Sequence, residues 1–414
     1  MTPRRRHHRT GAALLAAALL LAACGGSDEP VATPSDTTTP PAGTPIVLGN
    51  IVDLTGPVPG LFKGARQAME AFVAMVNAEG GIEGRPLKLE TADSKIDCNG
   101  TRAAYEELAP KVEAFVGNIS AIDGCSADVL RKYPSLPAVF QQLDPSLADI
   151  ATVLTPAPRP PGASIGAYKM ISEMHPGAVG KLGVLVNTRT AFSAKQLVSG
   201  LEAIGGKVAF TREVRIDVQT DYTADVIKMR SSGVRWLTLD GFDIQTIARI
   251  LEDAQQQRWR PEVITAAPAY DGNFLSLVDP AAAEGVFLPL HTALFLGEDR
   301  KDSAGVDTYL TWLKRTHPDA KADLFGAYAW AAGMLYVQAR KAAGAAAKPK
   351  QVVQELIKIK SFDADGLLSE ANPGDQKPAT CWLLAEVKDG AFRRVAPDKG
   401  FSCEGAQFVP YTGG

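Results

Sequence analysis

Residues 49–93, GNIVDLTGPVPGLFKGARQAMEAFVAMVNAEGGIEGRPLKLETAD, leave little freedom in local architecture. The apolar run 46–52 has the length of a buried strand, and Thr55-Gly56-Pro57 breaks it. Ala65, Ala68, Met69, Phe72 and Val76 then recur at helical spacing and give one apolar face. Gly80-Gly81 stops that helix, because glycine accepts the left-handed backbone a helix end often needs. Leu87 and Leu89 restart a strand. Strand, helix and strand in this order predict a parallel pair with a right-handed crossover. Ligands of such sheets sit outside the carboxyl ends of the strands, which here selects the 53–62 loop.

The alternation continues along the chain. A helical pattern covers 100–110, and a third strand covers 112–117. The loop 118–126 leads into a helix ending near Tyr133, and a fourth strand, 136–140, is followed by Gln141-Gln142-Leu143-Asp144. The proline-rich run 155–161 continues neither a helix nor an inner strand and reads as a crossing between lobes. A second set follows, with helices over 165–174, 194–204, 222–231 and 244–256 and strands over 182–186, 208–214, 234–239 and 263–266. Phe287-Leu288-Pro289-Leu290 reads as a return crossing, and helices 306–315, 325–342 and 351–359 would pack back on the first lobe. A hairpin, 382–387 and 392–395 about Lys388-Asp389-Gly390, closes the chain. The pattern predicts an α/β fold of two Rossmann-like lobes with parallel central sheets.

Thr55-Gly56-Pro57, Gly64-Ala65, Asn77-Ala78, Gly80-Gly81-Ile82-x-Gly84-Arg85-Pro86-Leu87 and Asp93 resemble the opening of branched-chain amino-acid-type (Leu/Ile/Val-binding) periplasmic binding proteins, the solute receptors of ABC importers. The resemblance implies the type I periplasmic binding fold. It also assigns the terminal hairpin to the second lobe, which implies three hinge crossings around a cleft, with expected boundaries of 46–157 with 291–362 for the N-terminal lobe and 158–290 with 363–414 for the C-terminal lobe. It implies a small polar solute such as an amino acid, an amide or a related organic molecule.

Carried over residue by residue, the resemblance marks Ser120 and Ala121 as the place where a serine and backbone amides grip an α-carboxylate. A plain helix cap is the equally open reading of Ser120. Gln141 and Gln142 stand where the family has small residues and a hydroxyl. In a shortened opening loop, Leu61 or Phe62 replaces the family's tyrosine wall. Phe192, Phe242 with Asp243, and Tyr270 with Asp271 follow strands of the second lobe, where aromatic and acidic contacts are expected. Lobe packing is the alternative for each ring. The family's acidic partner for an amino group aligns with 267–269, where this chain has none, so Asp240, Asp243 or Asp271 would have to substitute.

The N-terminus sets the expected location. Arg4, Arg5, Arg6 and Arg9 precede the Ala/Leu stretch 12–23, which is too short to span a bilayer. Leu21-Ala22-Ala23-Cys24-Gly25-Gly26 resembles a bacterial lipobox, which implies cleavage of residues 1–23 and lipidation of Cys24. An ordinary signal peptide or an uncleaved anchor is the alternative. Two acyl chains would hold the chain stably on the outer face of the cell membrane. Residues 24–45 are rich in Thr, Pro, Ser and Asp and read as a tether. Residues 24–414 carry 39 basic and 46 acidic side chains, a net charge of −7. No basic footprint for nucleic acid is present. A monomer is expected.

Of the four cysteines left, three pairings are open, and a zinc site lacks a Cys-x-x-Cys or a nearby histidine. Cys98–Cys125 is favoured, since it would tie two loops at one sheet edge and the resembled family has a bridge near there. Cys381–Cys403 would close a short loop at the hairpin. No metal and no cofactor are expected.

No phosphate-binding Gly-Lys-Ser/Thr loop, no His-Glu-x-x-His and no Gly-x-Gly-x-x-Gly after a strand occur, and no Gly-x-Ser-x-Gly is read as a nucleophile elbow. Only His175, His291 and His317 lie beyond residue 23, none at ligand spacing from a cysteine or acid. An enzyme is therefore not expected. The reading is an extracytoplasmic, lipid-anchored receptor delivering solute to ABC permease subunits. The alternative is a sensing or protein-interaction module with the same two lobes.

Overall fold

The computed structural model describes residues 42–58 and 60–413. The expected signal peptide, Cys24 and most of the expected tether lie outside these residues.

Strand β1 (Ile46–Val52) is buried along almost its whole length and pairs in parallel with β2 (Leu87–Asp93) through α1 (Lys63–Ala78). Helix α2 (Cys98–Leu108) starts at Asp97, whose side chain accepts from the Gly100 N–H. It leads to β3 (Ala114–Val116), α3 (Ala127–Arg131), β4 (Ala138–Val139) and β5 (Val153–Leu154). These strands form one parallel sheet in the order β2-β1-β3-β4-β5.

Past the 155–161 crossing come β6 (Gly162–Ser164), α4 (Gly166–Met174), β7 (Leu182–Asn187), α5 (Ala191–Glu202), β8 (Val208–Val214) and α6 (Thr223–Ser231). Then follow β9 (Trp236–Thr238), α7 (Ile244–Gln256), β10 (Val263–Thr265), α8 (Phe274–Leu277), α9 (Pro280–Ala283) and β11 (Val286–Leu290). Helices α10 (Ala304–Thr316), α11 (Leu324–Ala343) and α12 (Pro349–Leu356) precede the hairpin of β12 (Leu383–Lys388) and β13 (Ala391–Ala396), and β14 (Phe408–Pro410) ends the chain. The second sheet runs β13-β12-β11-β10-β9-β7-β8, parallel except for the two hairpin strands.

The chain thus passes between the two sheets after β5, after β11 and after α12. The helices of the second passage return to the first sheet, where α11 packs on α1, β3 and β4. Helix α11 is buried on most of its circumference, which requires small residues where partners approach. A Cβ on Gly333 would stand 2.6 Å from the Phe72 ring of α1, so only glycine permits that approach.

Three details differ from the sequence reading. The fourth strand shrinks to Ala138–Val139, and β5 pairs beside it where no strand was expected. The segment 162–164 is an edge strand pairing antiparallel with β14, an unexpected two-stranded ribbon beside the first crossing. The run 287–290, read as a return crossing, belongs to the inner strand β11, and the crossing follows it. The disulfides are those favoured from sequence, Cys98 with Cys125 and Cys381 with Cys403.

Candidate functional site

Acidic side chains tie together the loops at the carboxyl ends of the strands. Asp53, after β1, is buried; it accepts from the Ser94 hydroxyl after β2 and, at 2.8 Å, from the Ala121 N–H after β3. Burial pushes its pKa up against these hydrogen bonds. Asp93 accepts from the Leu54, Thr55 and Lys95 N–H groups, which fixes the opening loop. Asp123 accepts from the N–H groups of Leu143 (2.6 Å) and Asp144 (3.0 Å), joining the loops after β3 and β4, and burial raises its pKa to about 8. In the second lobe Asp240 accepts from Ala267 N–H and from the Thr238 and Thr265 hydroxyls. Each tie satisfies backbone donors that loops otherwise leave to water.

A cavity of about 300 Å³ opens between the two sheets at these loops. That size is at the lower end of what small-molecule sites offer. Val58, Leu61, Phe62, Leu324 and Phe325 form its wall on the first lobe, and Phe192, Leu197, Ile216 and Phe242 form the facing wall. Phe62 and Phe325 meet edge to face, with centroids 4.5 Å apart. The crossings supply the floor through Pro158, Arg159, His291 and Ala379.

Of the residues singled out from sequence, Phe62, Ala121, Gln141, Phe192, Phe242 and Asp243 all line this cavity. Gln141 is 1% exposed, yet neither its Nε2 nor its Oε1 has a hydrogen-bond partner among the described residues. Buried polar atoms are rarely left so. Asp243 is the N-cap of α7, accepting from the Thr246 N–H at 3.0 Å and from its hydroxyl.

Four are placed elsewhere. Ser120 is buried behind the lining, its Oγ accepting from the Ile122 N–H at 3.3 Å, a local turn contact. Gln142 is buried beside Gln141 but off the lining, its Oε1 unpartnered. Tyr270 is a correction: it points into the second lobe, not the cleft. Its ring meets Phe295 and Phe392 edge to face, and its hydroxyl donates to Glu298 at 2.7 Å and accepts from the Leu296 N–H. The 3-10 turn Ala267–Ala269 directs this side chain inward, a geometry no local sequence signal announces. Asp271 lies with Asp323 at a second depression of the cleft, which Phe242 and Phe325 also line.

Sequence reading passed over two features. Arg159, in the first crossing, lines the floor with no hydrogen bond or ion pair to any described residue. The string Gly162-Ala163-Ser164-Ile165-Gly166 spells Gly-x-Ser-x-Gly, but Ser164 lies on the antiparallel ribbon and its hydroxyl donates to the Ala379 carbonyl at 2.8 Å. A nucleophile elbow needs a free hydroxyl on a strand-to-helix turn, with a base beside it. Among the described residues no cluster of metal-ligating side chains occurs, and no helix is long and apolar enough to cross a membrane.

No curated protein matches the sequence. Solved structures share the fold. An ABC transporter substrate-binding protein from Aeropyrum pernix superposes with a TM-score of 0.73 at 14% identity, covering 86% of this chain and 97% of that one. A branched chain amino acid ABC transporter protein from Thermus thermophilus, with bound valine, gives 0.72 at 16%, covering 85% and 96%. A fatty acid ABC transporter substrate-binding protein from Thermomonospora curvata gives 0.68 at 18%, covering 88% and 94%. A family model described as periplasmic binding protein matches residues 45–391. With two parallel sheets, three crossings and a cleft at the strand ends, the chain belongs to the periplasmic binding protein family, whose members hold solutes rather than transform them.

Proposed function

We propose that this chain is the extracytoplasmic receptor of an ABC importer, anchored through lipid on Cys24, which closes its lobes on a small organic solute and presents it to permease subunits as a monomer. The observation that carries the reading is the cavity itself. Aromatic walls from both lobes face each other across it, and the buried carboxamide of Gln141 waits there without a partner. Closure of two lobes about a hinge buries a solute from both sides and excludes water. Phe62, Ala121, Gln141, Phe192, Phe242 and Asp243 are the proposed contacts, with Ser120 and Gln142 supporting the loops behind them. Proteins of this fold described as taking valine or fatty acids support a solute anywhere between compact and elongated.

Isothermal titration against a panel of amino acids, amides and organic acids tests the proposal. One class of solute should bind, and Phe242→Ala should weaken it by about tenfold or more, since stacking rings make the larger contribution in such sites. Binding by nothing in the panel, or binding indifferent to Phe242→Ala, would count against the cleft as the site. Cys24→Ala should release the chain from the membrane fraction.

A further inference from the structure

Resting on that receptor reading, we infer that the solute is an organic monoanion with an apolar body, its carboxylate held at the hinge floor by Arg159 and Gln141, and not a zwitterionic amino acid.

Arg159 carries the argument. It sits in the 155–161 crossing, exposed toward the cavity, where residues of the other two crossings, His291 and Ala379, also reach the lining. Its guanidinium has no carboxylate partner among the described residues, although the chain is net negative, whereas the other charged side chains lining this cavity are engaged, Arg189 with Asp217 and Asp144, Asp240 and Asp243 with backbone and hydroxyl donors. Its positive charge is felt by the surrounding side chains: it works against the burial that raises the Tyr328 and Tyr168 hydroxyl pKa values, and it adds to the lowering of His291. A guanidinium presents paired donors in the geometry of a carboxylate and is weakly hydrated, which suits it to this role.

The acids of the cleft argue against an ammonium group. Asp240 is saturated by one backbone and two hydroxyl donors, Asp243 caps α7, and Asp144 caps the Pro145–Leu147 turn, accepting from the Ser146 N–H at 2.8 Å. A zwitterion would bring its ammonium toward Arg159 with no uncommitted carboxylate among the residues that line this cavity. Gln141 adds a donor: its Nε2 lacks an acceptor, and its Oε1 is left for a hydroxyl of the solute or a water. Beyond these polar groups the cavity walls are rings and aliphatic chains, which reward an apolar body by removing it from water.

The test is calorimetry on the full chain with octanoate, its neutral counterpart octanamide, and L-leucine. Octanoate should bind, with octanamide and L-leucine each weaker by about tenfold or more. Arg159→Gln should cost octanoate a similar factor while leaving octanamide unchanged, and Arg159→Lys should recover part of the loss. Unchanged thermal midpoints in the two variants would show that the hinge is intact. Should Arg159→Gln fail to fold, the octanoate-to-octanamide ratio in the unsubstituted protein decides alone. L-Leucine binding more tightly than octanoate, or equal affinity for octanoate and octanamide, overturns the inference and leaves the receptor reading standing. Failure of all three probes, together with the absence of any co-purified small molecule, overturns both.

Discussion

Gln141 shows how a single side chain can be stable for function and costly for the fold. Both of its polar atoms are buried and unpartnered among the described residues, and leaving a buried polar group unsatisfied costs about 1–3 kcal/mol. Gln141→Met keeps the length and removes both liabilities. The unliganded protein should become more stable by about 1–3 kcal/mol in chemical denaturation while losing about tenfold or more in solute affinity. Unchanged stability would mean that waters already satisfy the amide. The residue was legible in the sequence because it follows a strand at the expected end of the sheet. Arg159 was not, since a proline-rich crossing gives no signal of which side chain faces inward. Phe192 and Tyr270 make the same point from opposite outcomes. Both follow second-lobe strands, yet one lines the cleft and the other is sealed in a cluster with Phe295 and Phe392.

At the scale of elements, the well-read helices are those with both a cap and a period. Helix α7 runs Ile244–Gln256 as expected, because Asp243 and Thr246 fix its start and Ile247, Ile250, Leu251 and Ala254 fix its buried face. Strands of two or three residues have no period to read, and β5, β6 and β14 exist only through partners distant in sequence. Helix α11 joins packing to electrostatics. Its N-cap, Asp323, accepts from the Gly326 N–H at 2.6 Å; burial first, and then the charge of Asp271, raise its pKa from 3.8 to about 7. The folded state therefore keeps a proton that the unfolded chain releases near 3.8. The stability this gives is complete below that value and is lost as pH rises through about 7, with a slope of at most ~1.4 kcal/mol per pH unit. Asp323→Asn retains the capping oxygen and cannot ionise. Its stability, measured by denaturant at pH 5 and pH 8, should fall less over that interval than the parent's. An equal fall would show that Asp323 ionises normally.

For the whole molecule, the paired α/β lobes follow from the alternation of elements, and the family from the motif run near the start of the first lobe. The identity of the solute needs the cavity, because its lining draws on both sheets and all three crossings, segments far apart in the chain. Of the carboxylates that sequence offers as ligand anchors, Asp240 ties loops together and Asp243 and Asp271 accept from nearby backbone N–H groups, so the positive hinge floor emerges only once their partners are known. The central claim is that a small molecule occupies the space between Phe242 and Phe325. A crystal structure of the chain purified from its own membrane tests this most directly. The account predicts density for one small organic molecule there, with a polar group against Gln141. A cleft holding only ordered water, with solute density at another surface, would contradict it.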